Sequence, residues 1–71
     1  MEENIRLQLA QKIKKLRREL SYTQEKLADE TRIDYKYIQR IESKNPPAVK
    51  IDTIKKLAIA LKVDPSKLLE K

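Results

Sequence analysis

Tyr35, Lys36, Gln39 and Arg40 recur at steps of one, three and one, so a helix through this segment carries them on one side. Ile38 and Ile41 fall on the other. The four polar types share one kind of chemistry. Arg and Lys donate to guanine O6 and N7, and Gln bridges adenine N6 and N7. Tyr either stacks on a sugar or thymine methyl or simply covers surface. Chemistry of the bond-breaking kind has few candidates. The 71 residues include no His and no Cys, which removes the usual bases, nucleophiles and thiolate ligands. There is also no Gly from which to build a phosphate loop. Adjacent Asp29 and Glu30 point to different sides of a helix and read as surface charge. We therefore expect no enzyme, no metal and no cofactor, and the sequence marks no small-molecule pocket.

Charge narrows the partner. Seventeen Lys and Arg face eleven Asp and Glu, a net +6 with a pI near 9.7, which favours nucleic acid. Residues 1–20 carry six basic and three acidic groups, +3; residues 21–33 sum to −1, 34–45 to +1 and 46–71 to +3. No block is a pure charge run, and 39% of residues are apolar at helical spacing, so the chain should fold.

Those side chains need a scaffold, and the length permits one domain, residues 1–71. Met1-Glu2-Glu3-Asn4 is acidic and polar with no apolar run behind it, so neither a signal peptide nor a membrane span is expected. The lack of Cys suits a reducing cytoplasm. Met1 itself fits a free-standing protein.

Helix formers fill the intervals between prolines at 46, 47 and 65, which predicts an all-α fold of five helices. The first runs from about Glu3 to Leu20, with Ile5, Leu9, Ile13, Leu16 and Leu20 on one face. Thr23 caps a second, Gln24 to about Glu30, with Leu27 and Ala28 inward. Thr31-Arg32-Ile33 makes a turn. Asp34 caps a third helix, Tyr35 to about Ser43, which buries Ile38 and Ile41. Lys44 to Lys50 is a loop, because Pro46 and Pro47 cannot continue the ladder. A fourth helix, Ile51 to about Lys62, buries Ile54, Leu57, Ala58 and Leu61. Asp64-Pro65 opens a last short helix with Leu68 and Leu69.

Two short helices joined by a three-residue turn between Gln24 and Ser43 have helix-turn-helix geometry. Ala28 sits where the two approach, and Ile33 plugs the turn. The chain here resembles the helix-turn-helix domain of the phage lambda and 434 repressors and Cro proteins, over about Leu9 to Leu69. The matching residues are Ile13-Lys14-Lys15-Leu16-Arg17, Tyr22-Thr23-Gln24-Glu25-Lys26-Leu27-Ala28, Ile33-Asp34, Tyr37-Ile38, Arg40-Ile41-Glu42, Leu57-Ala58-Ile59-Ala60-Leu61 and Val63.

The resemblance implies a compact five-helix bundle that binds a double-stranded DNA operator and regulates transcription as a repressor or controller. Tyr35, Lys36, Gln39 and Arg40 match groove-facing positions of the recognition helix. Gln24 matches a phosphate-binding glutamine, and Tyr37, Ser43, Lys44 and Asn45 match positions that contact the DNA backbone. Tyr37 has a second reading, packing at the helix interface with only its hydroxyl at the DNA. Arg17 and Glu42 match a structural ion pair. Two departures stand out: the family usually has glycine where this chain has Arg32 and often where it has Lys44. A left-handed residue other than glycine costs about 1–2 kcal/mol.

One such domain reads too few base pairs alone, so a two-fold homodimer is expected, with recognition helices about 34 Å apart. Val49, Ile59, Leu68 and Leu69 are the apolar candidates for its interface, with Leu68 the better candidate for core. A competing reading makes the chain an antitoxin or coregulator that mainly docks a protein. Such proteins carry an extra segment for the partner, and here only the first few residues are spare. A helical module that had lost DNA binding would have a degraded recognition face, whereas Lys36, Gln39 and Arg40 are retained.

Overall fold

The computed structural model describes residues 4–70, which form five helices and, within that span, no strand. The expected start of the first helix at Glu3 lies outside the described residues. Within them, α1 spans Ile5–Glu19, α2 Gln24–Thr31, α3 Tyr35–Ile41, α4 Ile51–Ala60 and α5 Pro65–Leu68. None is long and apolar enough to cross a membrane.

Short polar side chains start four of the five helices by accepting otherwise free amides. Asn4 accepts from the Leu7 N–H at 3.0 Å, Thr23 from Lys26 at 3.0 Å, Asp34 from Lys36 at 3.2 Å and Asp64 from Ser66 at 3.0 Å. The Ser66 hydrogen bonds also hold the Asp64 carboxyl below its ordinary pKa. In α4 the cap position is Lys50, which makes no such bond.

Three of the helices, α1, α2 and α4, stop where the backbone turns left-handed, and with no glycine in the chain ordinary residues take that conformation. Ser21, Arg32 and Lys62 have φ of 60°, 59° and 62°. After α1, the Tyr22 N–H reaches the Arg17 carbonyl at 3.0 Å and the Ser21 N–H reaches Arg18 at 2.9 Å. After α4, Val63 reaches Ala58 at 3.0 Å and Lys62 reaches Ile59 at 3.1 Å. Both are paired closures that satisfy the last carbonyls of a helix. They end α1 and α4 at Glu19 and Ala60, one and two residues short of the expected limits.

The second helix instead runs one residue further than expected. Thr31 is its last residue, 5% exposed, and its hydroxyl lies 2.8 Å from the Leu27 carbonyl and 3.2 Å from that of Ala28. The same oxygen accepts from the Ile33 N–H at 3.2 Å, so one side chain closes α2 and shapes the turn into α3.

One core holds the bundle. Ile13 of α1, Leu27 of α2, Ile38 and Ile41 of α3, Leu57 of α4 and Leu68 of α5 are all under 2% exposed. Ala28 and Ala58 are buried as well, small enough to let backbones approach. Ile54, expected inside, is only half-buried at the margin with Ile33, Val49 and Val63. Leu68 was a candidate for the dimer interface; its 1% exposure puts it in the monomer core, where burial leaves it no surface to offer a second copy.

Candidate nucleic-acid interface

α3 packs on the bundle by its apolar side. Ile38 and Ile41 are 0% and 1% exposed, and the helix packs directly on α2. Tyr35, Lys36, Gln39 and Arg40 consequently all stand in solvent on the opposite side. Two of them touch: Gln39 Nε2 donates to the Tyr35 hydroxyl at 3.1 Å, one turn apart. The amide keeps its Oε1 acceptor and a second N–H, and the hydroxyl keeps its own proton to donate. The pair therefore presents both donors and acceptors, with Lys36 and Arg40 as charged donors beside it.

The side chains expected at the DNA backbone divide into two groups. Lys44 and Asn45 are exposed on the loop after α3, where buried Pro46 pins the chain against the bundle. The other three have internal partners. Ser43 Oγ donates to the Arg40 carbonyl at 2.7 Å, finishing α3 at Ile41 instead of carrying it on to Ser43. Half-buried Tyr37 packs on the core and directs its hydroxyl at the Ala48 carbonyl, 3.5 Å away, the interface packing that was its second reading. Gln24, the first residue of α2, donates from Nε2 to Glu42 Oε1 at 3.2 Å.

That last contact belongs to a network. Arg17 on α1 grips Glu42 with two parallel bonds, Nε to Oε2 at 2.7 Å and Nη2 to Oε1 at 2.9 Å. Its Nη1 donates to the Tyr22 carbonyl at 2.7 Å. The two side chains are 10% and 1% exposed. Every charged oxygen and most guanidinium donors are thus paired, which is what makes burial of the ions tolerable. The network joins α1, the start of α2 and the end of α3, fixing how far α3 projects.

Sequence reasoning missed three features. The resemblance marks Gln24 as a phosphate ligand, and its place in the first turn of α2 also brings it to the far end of α3. Thr31 falls in the segment expected as plain turn, but it is a β-branched hydroxyl placed where a glycine-free turn needs a helix stop. Ile51 is 82% exposed, more than any other large apolar side chain among the described residues, because it starts α4 ahead of the turn that meets the core. Of the remaining dimer candidates, Ile59 and Leu69 are 68% and 58% exposed, while Val49 is half-buried against the core. The two glycine departures also separate. Arg32 is left-handed, whereas Lys44 is not.

Comparison with known proteins agrees with this geometry. A family model described as helix-turn-helix matches residues 13–68. No curated protein matches significantly. Among solved structures, a hypothetical transcription factor, NHTF, from Neisseria is 30% identical, with a TM-score of 0.88 over 94% of this chain and 76% of its own. The restriction-modification controller protein C.AhdI from Aeromonas hydrophila is also 30% identical, with a TM-score of 0.83 over 89% of this chain and 94% of its own. A mutant of the restriction-modification controller C.Esp1396I is 29% identical, with a TM-score of 0.84 over 96% of this chain and 85% of its own.

Proposed function

The chain belongs to the helix-turn-helix family of DNA-binding transcriptional regulators, and from that premise we propose that it reads an operator half-site by laying α3 in the major groove, as one half of a two-fold dimer. The observation that carries this reading is the exposure of the whole polar side of α3, with its apolar side spent on the core. A major groove about 12 Å wide admits one helix, and α3 offers it four hydrogen-bonding side chains and no covering element.

In this reading Arg40 and Lys36 donate to guanine edges, and the Tyr35–Gln39 pair faces the neighbouring base pairs. Lys44 and Asn45 hold phosphates directly. Gln24 contributes its remaining amide hydrogen while Glu42 holds the group in place. Ser43 and Tyr37 reach the backbone only by giving up internal contacts, so they rank below the loop residues as phosphate ligands. Two of the three structural relatives are controllers, which supports a repressor or controller role in transcription.

The dimer half of the proposal rests on Ile59 and Leu69, joined by Ile51 two turns from Ile59 on the outward side of α4. Three large exposed apolar side chains on α4 and the end of α5 suit a self-complementary patch on the part of the chain that does not carry α3.

Selection of bound sequences from a randomised duplex library tests the reading. A short palindromic site should emerge for the wild type. Arg40→Ala should relax one position of each half-site, with about 1–3 kcal/mol of discrimination lost there. Unchanged sequence preference in that variant would remove Arg40 from base reading, and failure of the wild type to enrich any site would sink the proposal.

A further inference from the structure

The cationic surface does not end at the loop after α3. A cleft of about 670 Å³ lies between the start of α1 and that loop, lined by Asn4, Ile5 and Arg6 on one side and Lys44 to Pro47 on the other. A second, of about 160 Å³, brings Lys14 of α1 to Ser43 and Lys44. Lys44 and its neighbours thus stand between two α1 cations that the recognition motif does not include.

Among the described residues these charges have no acidic partner: neither Arg6, Lys14 nor Lys44 forms an ion pair with a carboxylate. The one acid lining the second cleft is Glu42, and both its oxygens are held by Arg17. Arg6 is exposed, and Lys14 is half-buried, a stem laid on the protein with the ammonium free to extend.

We infer that Arg6 and Lys14 flank Lys44 in a continuous phosphate-binding track, so that α1 grips the DNA backbone beyond the recognition unit. This rests on the reading of α3 as the groove element, since that docking brings the loop at Lys44 to a strand. Eight residues of helix separate the two cations by about 12 Å along the axis. Consecutive phosphates on one strand advance about 3.4 Å each, so the two ends of the track meet different phosphates and act additively. The other side of α1 supplies a matched comparison. Lys12 and Lys15 lie with Gln8 and Gln11 against Glu70 at the α5 end, away from Lys44.

The test is the salt dependence of binding to a fluorescein-labelled, random-sequence duplex of about 30 base pairs, followed by anisotropy; each phosphate contact adds about 0.9 to the slope of log K against log salt. Arg6→Ala and Lys14→Ala should each lower the slope by about 0.9, and the double variant by twice that. Lys12→Ala with Lys15→Ala removes the same formal charge and should leave the slope unchanged. Circular dichroism melting checks that all variants stay folded. Equal slopes for the two double variants would overturn the α1 track, because the loss would then follow net charge alone. A wild type without a steep slope would overturn the track together with the α3 reading beneath it.

Discussion

Under the proposed reading of α3, Tyr35 and Gln39 illustrate how one hydrogen bond changes what a base-facing residue can do. A free glutamine rotates between donor and acceptor presentations. Donating to the Tyr35 hydroxyl at 3.1 Å, the amide of Gln39 is biased toward one presentation before DNA arrives. In the proposed docking, Tyr35 then acts partly through Gln39, as a positioning residue. We expect Tyr35→Phe to lower sequence discrimination at the base pair facing Gln39 while leaving affinity for random duplex nearly unchanged. Library selection with both proteins checks this: a sharper or identical preference in the variant would mean the bond has no part in reading. Arg40 needs no such support, because its guanidinium is planar and always charged.

Elements are joined by two devices, and each makes a prediction. The first is the ion pair of Arg17 and Glu42, buried where α1, α2 and α3 meet. Removing one partner strands a charge out of water, so Arg17→Met or Glu42→Leu alone should lower the free energy of unfolding by about 3–5 kcal/mol in urea titration. The double variant should recover much of that loss, since no ion then remains to be desolvated. Additive losses would show that the pair is not a unit. The second device is the left-handed helix stop. Arg32 carries strain of about 1–2 kcal/mol that glycine would relieve, less about 0.4–1 kcal/mol for the freer unfolded chain. Arg32→Gly should therefore raise the melting temperature slightly. Lys44→Gly should lower it, because Lys44 is not left-handed and only the unfolded-chain penalty applies. Thermal melts that moved both variants in the same direction would contradict this account.

At the scale of the whole molecule the adjacent leucines Leu68 and Leu69 have opposite roles. Leu68 closes the core where α5 meets α1, and Leu69 is 58% exposed. Leu68→Ala should cost about 2–5 kcal/mol of stability. Ile59→Lys combined with Leu69→Lys should leave the melting temperature of the fold nearly untouched yet convert a dimer to a monomer in sedimentation. A monomeric wild type, free and on DNA, would refute the dimer. A dimer that survives both lysines would place the interface on some other surface.

How much of this was legible in the chain follows from what each signal depends on. Caps, prolines and the spacing of Leu, Ile and Ala are local, so the five helices, their order and the outward polar side of α3 could be read directly from the residues. Charge alone pointed to nucleic acid. Contacts between elements distant in sequence could not be read that way. The resemblance paired Arg17 with Glu42, but only the packing of three helices brought Gln24 and the Tyr22 carbonyl into the same network. Whether Leu68 or Leu69 faces the core depends on the angle at which α5 meets α1, which no periodicity in a four-residue helix can fix. Left-handedness at Arg32 but not at Lys44 likewise answers to how the chain must leave one helix to reach the next, a demand set by the assembled bundle.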